Sequence, residues 1–200
     1  AHAAELADDK QAHVVALRGR IGALTAAQPQ LDLSASSTGA FSVAARGAGV
    51  AGAGAGFDPY ASDANFLIGA FFVENAVAAA YRTLLAQSSD PADQAVLQSQ
   101  LADAIYHGGL IRSLLDDQAS ADSSIGTVLT GAGTMLAAFD GSDVGDQTLA
   151  GANGASSNLL DADSRPIPFT RTNAQVLKAL YLSSSGVGGF LPTGANGIAA

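Results

Sequence analysis

The sequence contains no cysteine and no tryptophan among its 200 residues. Without cysteine, a disulfide framework, a thiolate metal site and a cysteine nucleophile are all excluded. Basic residues are also few, because 9 Lys and Arg stand against 18 Asp and Glu, giving a formal net charge of -9. Nucleic-acid binding requires a basic face, so this balance argues against a nucleic-acid partner. With 48% hydrophobic residues, the chain is not a disordered acidic one.

Long hydrophobic runs are scarce as well. Only residues 66–85 approach the length of a membrane span, and this run contains Glu74, Asn75 and Arg82. Because ionisable groups are costly inside a bilayer, the run predicts a core helix of a soluble domain and no transmembrane segment. No signal peptide is visible, and the chain begins with Ala1 rather than methionine, as expected for a mature or trimmed product.

Hydrophobic periodicity and capping residues predict an all-α fold. Ser62 or Asp63 is suited to cap one helix, Asp90 caps the next ahead of Pro91, and Thr172 can begin a third. No segment has the alternating pattern of a strand. We expect a single domain over residues 1–200, with helices at about 3–24, 64–87, 91–116 and 172–182 and a weaker helix at 120–138.

The connections between these helices differ in length. The short connection over 87–91 predicts that the helices on either side form an antiparallel hairpin. Residues 31–62 are rich in Gly, Ala and Ser, and we expect them to wrap over the surface, with room for one short helical turn. Residues 140–168 are typical of a loop.

One carboxylate interrupts the most apolar helix. From Phe66 to Ala80, Glu74 is the only ionisable side chain. A carboxylate in the middle of a buried helix is costly unless it is paired, protonated or bound to a metal. The sequence therefore predicts that another part of the chain supplies a partner for Glu74.

Six segments carry a family resemblance. They occur in the order ADDKQAHVVALRGRIG, AQPQLDL, FDPYASDANFLIGAFFVENAVAAAY, IYHGGLIRSLL, PFTRTNAQVLKALYL and GGFLPTGANG. In this order the chain resembles the ferritin-like domain of the desiccation-related protein family, and the closing segment is the most specific of the six. The resemblance implies a ferritin-like helical bundle, an exported location (periplasmic, cell-surface or extracellular) and a stress-related role.

The resemblance also implies a di-metal site, from which this chain departs. Such a site takes one Glu from each of two helices and a Glu-x-x-His pair from each of two others. On the pattern, His13, Glu74 and His107 match ligands, whereas Lys10 and Ala104 stand at two of the carboxylate positions. Two irons held by one carboxylate and two imidazoles would lack ligands and negative charge. We therefore expect the fold to be retained and the oxidase or ferroxidase chemistry to be lost.

Two interpretations of these helices stay open. Asp9 precedes His13 by four residues, and Asp103 precedes His107 by four, so each helix repeats Asp-x-x-x-His on one face. In the first interpretation, the shifted Asp residues replace the lost Glu ligands and hold iron or another transition metal with Glu74. In the second, these are Asp–His hydrogen bonds or coincidence. A separate hypothesis is that the Lys10 ammonium stands where a metal charge stood and pairs with Glu74.

The function expected from these residues is structural. The first helix of a four-helix bundle is not evident before residue 3, so upstream residues, the 120–138 helix or a neighbouring subunit must cover the open face. We expect a non-enzymatic protein without a cofactor that self-associates or joins a larger assembly, where the Gly/Ala-rich loops are an alternative contact surface. The alternative function is a metal-binding oxidase with a remodelled site. Tyr81 and Tyr106 are predicted to pack in the core or hairpin.

Overall fold

The computed structural model describes residues 2–140, 171–184 and 186–196. Within these ranges the chain is all-α, and the only β-type pairing is an isolated bridge between Gly188 and Leu191. The helices are α1 (His2–Ile21), α2 (Ala40–Gly47), α3 (Asp63–Gln87), α4 (Pro91–Ala119), α5 (Ser123–Asp140) and α6 (Asn173–Tyr181). The loop predicted at 140–168 lies almost wholly outside the described residues.

Polar caps mark the start of three of the helices. The Ser62 side chain accepts a hydrogen bond from the Asn65 amide at the start of α3. Asp90 accepts from two amides at the start of α4, where proline occupies the first helical position and loses no hydrogen bond there. A capping box between Thr172 and Gln175 starts α6. These short polar side chains satisfy amides that have no partner within the helix.

The main departure from the sequence-based expectation is α2. The sequence predicts that residues 31–62 wrap over the surface with one short helical turn, but α2 occupies two turns and is largely buried. Its buried residues include small and apolar side chains on one face (Ala40, Phe41, Ala44, Ala45). The helix packs against α5. Tertiary contacts therefore stabilise a helix that the surrounding Gly-rich sequence does not predict.

The helices form a core toward one end of the α3–α4 pair. α3 and α4 pack extensively against each other, and α5 contacts α2, α4 and α6. Phe71 of α3, Ile111 of α4 and Leu129 of α5 belong to one buried cluster. At the other end, Arg20 of α1 binds the Asp90–Asp93 pair at the start of α4, so α1 runs antiparallel to α4. The middle of α1 therefore lies beside the middle of α3 and α4.

Among the described helices, α3 alone has the length and apolar composition of a membrane span. In this fold 44% of its most apolar window is buried inside the protein. The core helix of a compact domain satisfies the same criteria of length and composition.

Gly131 allows α5 to approach α2. A β-carbon at this position would lie 1.8 Å from the carbonyl oxygen of Ala48, which is backbone and cannot move aside cheaply. We expect Gly131→Ala to lower the free energy of unfolding by about 1–3 kcal/mol, the cost typical of overpacking. On the same helix, Gly126 has open space around it, so Gly126→Ala should raise stability by about 0.5–1 kcal/mol. Urea unfolding of both variants measures the difference, and equal effects would contradict the close packing.

Candidate functional site

Three helices, α1, α3 and α4, bring ionisable residues together near the middle of their lengths. Glu74 lies in the middle of α3, and the spacings of three and four residues on α1 and α4 put each set of polar residues on one helix face. The cluster, called the central cluster below, consists of Asp9, Lys10, His13, Glu74, Asp103 and His107. All five residues predicted as metal ligands, and the predicted substitute cation Lys10, thus lie in one site.

The partner of Glu74 is Lys10. The Lys10 Nζ donates to Glu74 Oε1 at 2.5 Å. The Glu74 side chain is only 7% exposed, whereas that of Lys10 is 30% exposed. The aliphatic part of the Lys10 side chain therefore extends inward from a partly exposed position on α1. Its ammonium compensates the charge of the Glu74 carboxylate, which is almost inaccessible to water.

The two Asp-x-x-x-His repeats contact each other, each through its histidine and the aspartate of the other. His107 Nε2 is hydrogen-bonded to Asp9 Oδ2 at 3.1 Å, and His13 Nε2 lies 2.9 Å from Asp103 Oδ2. Each histidine thus faces the aspartate of the other helix. Within α4, the separation of His107 Nδ1 from Asp103 Oδ2 is longer, at 3.5 Å. The repeats therefore join α1 to α4 rather than serving only as contacts within one helix.

Two buried polar atoms in the central cluster lack hydrogen bonds among the described residues. They are His107 Nδ1 and Asp103 Oδ2, since the close approach of His13 to Asp103 does not have hydrogen-bond geometry. His107 is fully buried, and its Nδ1 also lies 3.7 Å from Glu74 Oε1. Carboxylate oxygens repel a bare nitrogen lone pair, so this position suits a proton on Nδ1 or a bound cation.

The central cluster does not fit two metal ions but has the donors for one. Ala104 is fully buried and offers no ligand, and Lys10 places a positive charge beside the α3 carboxylate. A dinuclear site would need carboxylates at both positions. By contrast, ligand atoms of Asp9, Asp103 and His107 all lie within 4.8 Å of one another. Oxygen and imidazole donors at such separations suit a single divalent transition-metal ion.

Tyr81 and Gln100 also contribute to the site, although sequence reasoning did not place them there. The Tyr81 hydroxyl is hydrogen-bonded to His13 Nδ1 at 3.3 Å, and the rings pack edge to face. Gln100 donates to the His13 carbonyl at 3.4 Å. Burial, followed by the charges of Glu74 and Asp103, raises the pKa of Tyr81, so its hydroxyl stays protonated. Its position seven residues after Glu74, two turns along the same face, was an available signal.

The prediction that Tyr106 packs in the core or hairpin is wrong. Its side chain is 52% exposed, and its hydroxyl donates to Glu5 at 3.0 Å across the surface between α4 and α1. The physical reason is its position next to His107. Because His107 faces inward, a residue about 100° around the helix is directed toward the edge of the α1–α4 contact.

His13 gives the domain a defined dependence on pH. Burial, followed by the nearby Lys10 charge, lowers the pKa of His13, although Asp103 and Glu74 oppose the shift. Histidine ordinarily titrates near about 6.5. As the pH falls below that value, the unfolded chain binds the proton before the folded chain does, so the free energy of unfolding decreases. Above that window, His13 contributes no pH dependence.

This pH dependence is measured by urea unfolding of metal-free protein between pH 5 and pH 8 (about the range in which histidine titrates). We expect His13→Gln to flatten the decrease below about pH 6.5 relative to the unsubstituted chain. His2 is an exposed histidine that lies 3.7 Å from Glu5, and His2→Gln serves as the matched control. An unchanged slope in the His13 variant would contradict a lowered pKa.

Comparison with known proteins gives a family match. Residues 1–117 match a family model described as a ferritin-like domain. The matched region is more than half of the 200 residues and contains every residue of the central cluster. No curated protein and no solved structure gives a significant match to this chain.

Proposed function

We propose that this chain, which belongs to the ferritin-like domain family, is a non-enzymatic structural member whose central cation is the Lys10 ammonium. The observation that carries the proposal is the contact between Lys10 Nζ and Glu74 Oε1. The side chain at a former ligand position then replaces a metal charge. The fold is kept because the buried carboxylate is still compensated, and the redox chemistry is lost with the missing ligands.

The proposal includes the desiccation-related subgroup and a single domain over residues 1–200. Support comes from contacts between segments that carry the resemblance. The Asp32 amide donates to the Phe190 carbonyl at 3.1 Å, and Asn196 donates to the Ala27 carbonyl at 2.6 Å. Phe190 also belongs to the same buried cluster as residues of α3 and α4. The chain after residue 117 therefore adds to the family-matched core.

A structural member of this kind acts through assembly, so self-association or incorporation into a larger complex is part of the proposal. The exposed apolar residues of α1 support it, since Val15 is 62% exposed and Ile21 46% exposed. An exported location and a stress-related role rest on the family resemblance alone. Fractionation of the source cells, followed by detection of this chain, tests the location, and a wholly cytosolic signal would contradict it.

A second function is favoured by one specific observation. His107 Nδ1 and Asp103 Oδ2 are buried without hydrogen bonds among the described residues, and both belong to the Asp9–Asp103–His107 group. In this alternative the chain is a metal-binding ferritin-like oxidase with a remodelled site. Asp9, Asp103 and His107 would hold one ion, with His13 and Glu74 beside it. A bound transition metal would supply Lewis-acid or redox chemistry at that position.

Metal content separates the two functions. The full chain is purified without chelators, incubated with Fe(II), Mn(II) or Zn(II) and desalted. Its metal content is then measured by inductively coupled plasma mass spectrometry. The structural proposal predicts less than about a tenth of an equivalent of each metal. Binding of about one equivalent that is lost in Asp103→Asn but kept in the surface variant Asp117→Asn would instead contradict the structural proposal and establish the metal-binding part of the alternative.

A further inference from the structure

The outer face of α1 has little packed against it among the described residues. Of the 20 residues in α1, only Leu6 and His13 are buried. The exposed side includes three β-branched apolar residues, Val14 at 41%, Val15 at 62% and Ile21 at 46%. Exposed apolar residues grouped on one helix, next to charges, indicate a contact surface.

The charges on α1 are divided between its two ends. Acidic residues come first and basic residues last, in the order Glu5, Asp8, Asp9, Lys10, Arg18 and Arg20. Four of these six make contacts with α3 or α4 of the same chain. The other two, Asp8 and Arg18, are exposed and have no ion pair within the described part of the chain.

One outward stripe of α1 contains both of these charges. Asp8, Gln11, Val15 and Arg18 follow one another at spacings of three, four and three residues, and all four are exposed. Residues at these spacings lie on one side of a helix. The stripe, called the α1 stripe below, therefore has an acidic end, an apolar and amide centre, and a basic end.

From the α1 stripe we infer that the partner of this face is a second copy of the chain, with the two α1 helices packed antiparallel. Asp8 and Arg18 are ten residues apart, which is about 15 Å along a helix. A two-fold axis at the level of His13 places Asp8 of each copy against the basic end of the other. The same axis brings Val15 of each copy beside Gln11 of the other at the centre of the contact.

Self-pairing accounts for both features of the face. A two-fold contact requires a surface that is complementary to itself, and an acidic half followed by a basic half meets this condition only in the antiparallel arrangement. In that arrangement the positive end of each helix dipole also lies beside the negative end of the other, which is favourable. This inference deepens the assembly role proposed above and rests on it, since it names the partner and the surface.

Charge reversal tests the pairing in the full chain. Asp8→Lys makes both ends of the α1 stripe positive, and Arg18→Glu makes both ends negative. We expect each variant alone to dimerise at least about tenfold more weakly than the unsubstituted chain in sedimentation equilibrium, because attraction becomes repulsion at both symmetry-related contacts. Asp117→Lys, an equal charge change on an exposed residue of α4, should leave dimerisation unchanged.

The decisive measurement is a mixture of the two variants. In a mixed dimer, the wholly positive stripe of one copy faces the wholly negative stripe of the other, so both contacts are again attractive. An equimolar mixture of Asp8→Lys and Arg18→Glu, each carrying a different fluorophore, should therefore restore energy transfer and dimer mass. Circular dichroism of each variant verifies that the α-helix content is unchanged.

Three outcomes would overturn the inference. If the unsubstituted chain stays monomeric at all concentrations tested, it does not self-associate, and this result also counts against the assembly role. Dimers that persist in both single variants leave the assembly role intact but place the contact elsewhere. Variants that are monomeric alone and also in the mixture show that the reversed charges act without reciprocal pairing.

Discussion

Replacing Lys10 with alanine is expected to lower the free energy of unfolding by about 3–5 kcal/mol, the usual cost of leaving a buried charge without its partner. The Glu74 side chain is 7% exposed, and its Oε1 accepts a hydrogen bond from Lys10 Nζ at 2.5 Å. Without that ammonium, the carboxylate remains in a largely dry position between α1, α3 and α4. Urea unfolding at pH 7 in metal-free buffer measures the loss.

A double-mutant cycle assigns this loss to the ion pair. The cycle consists of Lys10→Met, Glu74→Gln and the variant that combines them. Removing both charges should cost less than Lys10→Met alone, because no charge is left uncompensated. The coupling energy between the two positions is expected to be about 2–3 kcal/mol. Gln98→Ala, at an exposed position of α4 away from both the central cluster and the α1 stripe, should change stability by no more than about 0.5 kcal/mol. An unchanged midpoint in Lys10→Ala would rule out the pair as the support of Glu74.

Restoring two carboxylates is expected to create metal binding. Lys10→Glu and Ala104→Glu together place a Glu three residues before His13 and another three residues before His107, which gives Glu-x-x-His on both α1 and α4. Glu74 is then free to bind a metal, since the competing ammonium is gone. We expect bound Fe(II) or Mn(II) to rise from below about a tenth of an equivalent to about one or more.

The matched control replaces the same residues with glutamine. Lys10→Gln and Ala104→Gln together have nearly the same volume as the two glutamates but add no negative charge, so they should bind no more metal than the unsubstituted chain. Ala104 is fully buried, and the larger side chain strains its surroundings in both variants to a similar extent. A folded Glu variant that still binds no metal would mean that the loss of these carboxylates is not what prevents metal binding.

Much of the helical framework could be predicted from local sequence signals. Pro91 after Asp90, the Ser62 cap and the Thr172–Gln175 capping box each coincide with the start of a helix. These signals are reliable because a helix terminus has the same unsatisfied amides wherever it occurs. The all-α class, predicted from hydrophobic periodicity and caps, is confirmed in the described residues, and the ferritin-like domain, which the resemblance implied, is confirmed by the family match.

Elements that depend on distant contacts were harder to predict. α2 lies in a Gly-rich stretch, and its burial against α5 is decided by residues that come much later in the chain. The exposure of Tyr106 depends on where α1 lies relative to α4. In each case the local pattern allowed a buried or an exposed position, and only packing between elements chose one.

The sequence by itself determined that Glu74 needs a partner. The family resemblance, together with helical spacing, indicated the candidates to surround it, which were His13, His107, Asp9, Asp103 and Lys10. An apolar helix is buried on most of its circumference, and a carboxylate buried with it has a large desolvation cost, so the need could be inferred without coordinates. Only the tertiary structure decided that Lys10 contacts Glu74 and that each histidine faces the aspartate of the other helix. Such pairings depend on the relative axial position and rotation of packed helices, which no residue fixes alone.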